Sequence, residues 1–241
     1  MEQLNLRDRL IVALDYPDLP SAEHLVNSVS SQVGYFKVGF ELYLAAGPKA
    51  IALAKQNDAK VFLDLKLHDI PNTVGKAVEQ LINYGVNMMT VHISGGAAMI
   101  HAAREAAERR SAALGITRPL ILGVTVLTSL NEEDLLQDGN SLGLDELVVR
   151  RALLAQANGA DGVICSPREA ALVKRYSGGT LYTVTPGIRM ITVQDDQKRV
   201  TTPAAAMAGG SDYIVVGRAI TAAEDPVAAV QAILQNMKEG L

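Results

Sequence analysis

Tryptophan is absent, phenylalanine occurs three times, and aromatic residues make up 4% of the 241 positions. With hydrophobic residues at 49%, a core of good size must be built from Val, Ile, Leu, Ala and Met, the composition of helices packed on parallel strands. A single cysteine, Cys165, excludes an internal disulfide, and its apolar surroundings (GVICS, 162–166) read as buried filler. A net charge of −4 leaves no basic field to gather nucleic acid or an anionic membrane, so any anion site must be local. The opening MEQLNLRDRL carries charges where a signal peptide is apolar, and a cytoplasmic protein is expected. Residues 80–103 lack Asp, Glu, Lys and Arg over 24 positions, but Asn83, Gly85, Asn87, His92, Ser94, Gly95 and Gly96 divide the stretch into a helix end, a strand and a loop. No GxGxxG opens a helix after the first strand, and the four histidines (24, 68, 92 and 101) lack HExxH spacing.

What is present is one unit repeated: a short apolar run, a turn and a helical pattern. Eight strand candidates follow in order, RLIVALD (9–15), YFKVG (35–39), VFLDLK (61–66), MMTVHI (88–93), LILGVTVL (120–127), GVICS (162–166), LYTVTP (181–186) and YIVVGR (213–218). Seven have a clear helical partner, and the weakest is the stretch around 203–207. Eight such units in about 250 residues predict an α/β fold, a single (β/α)8 TIM barrel forming one domain over 1–241, with a doubly wound open sheet as the alternative.

Alternation along a strand assigns faces. In VFLDLKLH, Val61, Leu63, Leu65 and Leu67 share one side and must meet the helices, so Asp64 and Lys66 point into the barrel. The same parity turns Lys37 and Asp15 inward. Four charges then converge on the C-terminal mouth, where such barrels hold their active sites. A register-fixing ion pair is the plain structural reading for any one of them. Buried pairs stabilise poorly, because desolvation offsets the Coulomb gain, so four together point to function. TPGIR (185–189) and VGRAI (216–220) follow strands seven and eight, each with a glycine and an arginine, and the polar DDQKR (195–199) lies between them. This is where barrels of this class hold phosphate, although Arg218 has a structural alternative in pairing with Glu224.

Residues 64–74, DLKLHDIPNTV, together with ALD, FKVG, TVHISGG, GVTVLTS, TPGIR, DQKR and VGR, closely resemble the orotidine 5′-monophosphate decarboxylases along essentially the whole chain. The D-x-K-x-x-D pattern is shared with the related 3-keto-gulonate phosphate decarboxylases and hexulose phosphate synthases, whereas HDIPNT and DQ-x-R are particular to the orotidylate branch. The resemblance implies cofactor-free and metal-free decarboxylation of a nucleoside monophosphate. Lys66 would be the proton donor, flanked by Asp64 and Asp69, while Lys37 and Asp15 hold the ribose hydroxyls. Thr128 and Ser129 would contact the pyrimidine, and Gln197, Gly217, Arg218 and Arg189 would grip the phosphate, with Thr73 in the same binding segment. It also implies a homodimer with shared active sites, Asp69 and Thr73 completing the partner's site.

Neighbouring readings make different demands. A Mg²⁺-dependent sugar-phosphate decarboxylase would place the metal at Asp64. A Schiff-base aldolase would use Lys66 as an amine, which adjacent carboxylates oppose by keeping it protonated. A catalytically silent phosphate-binding barrel has no use for Lys66 between two acids. The segment from His68 should leave the rim as a loop, with its helix starting near Thr73, because the residue before Pro71 is pushed away from helical conformation.

Overall fold

A computed structural model describes residues 5–190 and 201–241. Eight parallel strands close on themselves in chain order: β1 (Leu10–Ala13), β2 (Tyr35–Val38), β3 (Lys60–Leu67), β4 (Met88–His92), β5 (Leu120–Val124), β6 (Gly162–Ile164), β7 (Tyr182–Thr185) and β8 (Tyr213–Val216), with β8 pairing to β1. Around them among the described residues run α1 (Leu19–Val29), α2 (Phe40–Ala46), α3 (Pro48–Ala54), α4 (Pro71–Ile82), α5 (Ala97–Leu114), α6 (Glu132–Gln137), α7 (Leu144–Ala157), α8 (Pro167–Tyr176), α9 (Pro203–Ala208), α10 (Arg218–Thr221) and α11 (Pro226–Glu239). This is the (β/α)8 barrel expected, and the uncertain stretch around 203–207 is a helix. No described helix is long and apolar enough to cross a membrane.

Parity is borne out in the packing. Leu10, Val12, Leu14, Phe36, Val38, Val61 and Leu63 belong to the layer between strands and helices, whereas Ile11, Ala13, Tyr35, Phe62, Met88, Leu122, Val184, Tyr213 and Val215 fill the barrel interior. The low aromatic content gave no hint of how that interior closes at its base. Tyr35, Tyr182 and Tyr213 each begin a strand, and their rings meet edge-on at centroid distances of 5.9 Å. Burial pushes the Tyr35 and Tyr213 hydroxyls above their ordinary values.

The same end uses a recurring polar device. Asn87, Asp161 and Asp212 precede β4, β6 and β8, and their side chains accept the backbone N–H of Val61, Ile121 and Thr183 at 2.8, 2.8 and 2.7 Å. These contacts satisfy N–H groups near the starts of β3, β5 and β7. The base is thereby sealed, and the opposite end remains open.

Two local features differ from expectation. Helix α4 starts at Pro71 rather than near Thr73, because proline suits the first helical position, where its missing N–H has no partner to lose. The loop leaving β3 is therefore only His68–Ile70. The β3–β4 ladder is also irregular: Leu63 pairs with Met89, but the next pairing is Leu67 with Val91. Four steps along β3 match two along β4, and within the bulge Lys66 adopts a left-handed backbone with φ of 44°. Simple alternation thus predicted the inward aim of Lys66 correctly, although the strand bulges to achieve it.

Candidate active site

The C-terminal mouth encloses a cavity of about 560 Å³, whose lining includes Asp15, Lys37, Asp64, Lys66, Thr128, Arg189, Gly217 and Arg218. Sequence reasoning had selected all of these. It missed Glu41, which reaches the cavity from the first turn of α2, where nothing in a helical pattern distinguishes it from a solvated surface acid.

Side chains from three adjacent strand ends form an alternating row. Lys37 Nζ lies 3.0 Å from Asp15 Oδ1 and 3.7 Å from Asp64 Oδ2, and Lys66 Nζ donates to Asp64 Oδ2 at 2.9 Å. Thr90 donates its hydroxyl to Asp64 Oδ1 at 3.0 Å. Burial is the largest single influence on Asp64 and pushes its pKa up. The charges of Lys37 and Lys66, with the hydrogen bonds from Lys66 and Thr90, outweigh it and hold the carboxyl below its ordinary value. Asp64 is therefore a carboxylate at neutral pH, clamped between two ammonium groups. The ring of Phe40 lies beneath Lys66, 6.0 Å from Nζ to centroid.

Glycine leaves room for the lysine tip beside this row. A Cβ at Gly39 would stand 2.9 Å from Lys37 Nζ and 3.5 Å from Asp15 Oδ1. After β7, Gly187 takes a φ of 82°, a left-handed conformation open to glycine. The chain is fastened there as Thr201 N donates to Gly187 O at 3.0 Å and Arg189 N to Thr201 O at 2.9 Å.

The cavity is divided by strand. The charged row belongs to β1–β3. Val124, Val126, Leu127 and Ile164, from the ends of β5 and β6 and the chain after β5, form an apolar wall opposite, and Arg189 and Arg218 follow β7 and β8. Ala13, Phe62 and Val215 make the floor. Such a site can hold an anion at the β7–β8 side, polar hydroxyl groups on the Asp15–Lys37 pair, and a flat group between the apolar wall and the ammonium of Lys66.

His92, at the end of β4, is half-buried with its ring centroid 5.3 Å from that of His68. Burial, followed by the nearby His68, Lys66 and Arg151, lowers its pKa, and Asp64 acts weakly in the other direction. The imidazole is thus neutral at physiological pH. Among the described residues no group of three or more His, Cys, Asp or Glu is arranged to hold a metal ion.

The model of the Orotidine 5′-phosphate decarboxylase / HUMPS family matches residues 8–233. The chain belongs to this family. An orotidine 5′-phosphate decarboxylase of Moorella thermoacetica is 48% identical over 240 residues, covering 99% of this chain and 95% of its own. One from Syntrophotalea carbinolica is 46% identical, covering 98% of this chain and 97% of its own. Among solved structures, the orotidine 5′-phosphate decarboxylase of Lactobacillus acidophilus superposes with a TM-score of 0.84 at 39% identity, covering 95% of this chain and 99% of that one.

Not every residue assigned through the family motifs reaches the cavity. Asp69 does not flank Lys66 within its own chain: its carboxylate is exposed and accepts from the N–H of Ile70 at 2.6 Å. Thr73 is exposed on the first turn of α4, and Ser129 is exposed just beyond Thr128; neither lines the cavity. The short loop carries Asp69, and the first turn of α4 carries Thr73, outward over the rim, and the chain turns away after Thr128. Gln197 and the rest of DDQKR lie outside the described residues.

Proposed function

We propose that the protein decarboxylates orotidine 5′-monophosphate to uridine 5′-monophosphate, the last step of de novo pyrimidine nucleotide synthesis. The observation that carries this reading is the Asp15–Lys37–Asp64–Lys66 row, ending in an ammonium group that faces a cavity with two arginines on its far side. Full-length similarity to proteins named for this activity supports it.

In the proposed pose, Arg189, Gly217, Arg218 and Gln197 hold the phosphate. Asp15 and Lys37 hold the ribose hydroxyls, and the ring lies along the apolar wall with Thr128 and Ser129 at its polar edge. The substrate carboxylate then falls beside Asp64 and Lys66. Cleavage of the bond from the ring carbon to the carboxylate releases carbon dioxide and leaves the electron pair on carbon, in the ring plane, where the π system cannot delocalise it. Lys66 meets that need directly. Its ammonium stabilises the developing carbanion and then transfers a proton to the carbon, forming the new C–H bond, and the amine regains its proton from solvent. At about 4 Å and an effective dielectric of about 20, two unit charges interact by roughly 4 kcal/mol, about a thousandfold in rate. Because the lysine fills the roles of electrostatic stabiliser and acid, the chemistry calls for no electron-sink cofactor. Phosphate binding, remote from the reacting carbon, supplies energy for ordering the reactive end.

The working unit is proposed to be a cytoplasmic homodimer of one-domain subunits, each spanning residues 1–241, in which Asp69 and Thr73 of each subunit complete the other's site. Three features support it: Asp69 makes no ion pair with Lys66 of its own chain, Thr73 stands outside its own cavity, and Ile70 between them is 66% exposed, as is, at 51%, the Phe40 whose ring faces Lys66.

The deciding experiment mixes purified protein with orotidine 5′-monophosphate in EDTA and follows the loss of ultraviolet absorbance. Steady turnover is expected. An inert mixture overturns the proposed activity, and turnover that appears only when Mg²⁺ is restored overturns the metal-free mechanism.

A further inference from the structure

The bulge in β3 raises a problem that a single side chain answers. Between the pairings Leu63–Met89 and Leu67–Val91, the backbone of residues 64–66 leaves the ladder, and Lys66 sits at φ 44°, a conformation that a residue with a Cβ adopts at a cost. Its N–H there turns to a side chain. The N–H donates to Thr90 Oγ1 at 2.8 Å, while the proton of that hydroxyl goes to Asp64 Oδ1 at 3.0 Å. Thr90 is 1% exposed and belongs to β4, so a neighbouring strand, rather than the bulge itself, fixes the geometry.

We propose that Thr90 is a positioning residue for the decarboxylation: its one hydroxyl locks the carboxylate of Asp64 and the backbone of Lys66 in the relation that aims the Lys66 ammonium into the cavity. This rests on the proposed function. The contacts form a closed circuit, from Thr90 Oγ1 to Asp64 Oδ1, across the carboxylate to Oδ2, to Lys66 Nζ at 2.9 Å, and back through the lysine to its own N–H. A hydroxyl has one proton and two lone pairs, so it can donate to the carboxylate and accept from the amide at once. Threonine's branched Cβ also restricts rotation about χ1. Lysine is otherwise a long chain with many rotamers. Here it is tied at its base by Thr90 and at its tip by Asp64, and the same hydroxyl orients the carboxylate that holds the tip. Without it, a buried oxygen loses a donor and a strained N–H loses its acceptor.

The test compares wild type with Thr90→Val, Thr90→Ala and Thr90→Ser. Valine preserves shape without the hydroxyl, alanine opens a small space that admits water, and serine keeps the oxygen. For the valine and alanine variants, kcat for orotidine 5′-monophosphate should fall about 10- to 100-fold, the range expected when a reacting group is misplaced by about 1 Å. Affinity for uridine 5′-monophosphate should stay within about threefold, because its phosphate contacts lie across the cavity. The acid limb of kcat/KM should move to higher pH, because the Asp64 carboxylate loses a hydrogen bond that favours its charged form. The serine variant should recover most of kcat and the wild-type acid limb. A role in stability alone would lower the melting temperature and leave kcat and the acid limb of folded protein where they were; that result overturns the proposal. So does a serine variant as impaired as valine, or failure of both the valine and alanine variants to fold. An inert wild type in the same assay would overturn the proposed function and this inference with it, whereas an active wild type with unaffected variants removes only the role of Thr90.

Discussion

Asp69 offers a quantitative test of the proposal that two subunits share a site. Its carboxylate is exposed on the rim and accepts from the N–H of Ile70, whereas Lys66 is engaged by Asp64 at 2.9 Å. If Asp69 serves the partner, Lys66→Ala and Asp69→Ala each inactivate both sites of a homodimer, for different reasons. In a mixed dimer the two defects fall on the same site. The other site combines Lys66 from one chain with Asp69 from its partner, and both are intact. Random reassortment of equal amounts gives half mixed dimers with one working site of two, so activity should rise to about a quarter of the wild-type value. The assay is the decarboxylation rate after mixing differently tagged variants, with exchange verified by recovery of both tags in one complex. Time should matter, because activity grows only as fast as dimers exchange. The reasoning is refuted if exchange is complete and the rate remains the sum of the two parents; Asp69 then acts within its own chain, or the subunits do not share sites.

Two further outcomes follow from the charged row. Gly39→Ala puts a Cβ 2.9 Å from Lys37 Nζ, so the ammonium must shift, and should lower kcat/KM by roughly tenfold or more with little change in melting temperature; an unchanged kcat/KM would mean that the Lys37–Asp15 pair tolerates displacement. Asp64 is held below its ordinary value, so its ionisation stabilises the fold fully above the unfolded value of about 3.9 and less as pH falls through the folded one. The melting temperature of Asp64→Asn should therefore lie below wild type at pH 7 and begin to approach it only as pH falls below about 4, and a gap that stays constant as pH falls further would refute the assignment.

The sequence revealed the site where strand parity governs and concealed it where the chain departs from parity. Asp15, Lys37 and Asp64 lie on regular pleats or immediately beyond them, so alternation with Val12, Phe36 and Leu63 placed them inside. Lys66 was aimed correctly through a bulge that no spacing announces, since its left-handed φ falls on a residue that rarely takes one. Thr90 was invisible for the opposite reason: a threonine in a strand is ordinary, and only its two partners distinguish it. Glu41 was hidden on a helix, where a surface acid carries no signal. Ser129 and Thr73 came from motif matching, and the rim geometry takes both away from their own cavity. The tyrosine base was concealed by composition, because seven tyrosines in 241 residues do not reveal that three begin strands of the same barrel.

The partition of the cavity by strand has an evolutionary consequence. Reactive charges, apolar wall and arginines are carried by separate, consecutive runs of chain, β1–β3, β5–β6 and the exits of β7 and β8. A substitution in the wall can alter which flat group fits without disturbing the ammonium that acts on it, and a change beside the arginines can alter the anchoring group without reshaping the wall. Descendants of such a barrel can therefore acquire new substrates piecemeal, through intermediates that still fold and still catalyse, because selection can act on one arc of the rim while the others keep their work.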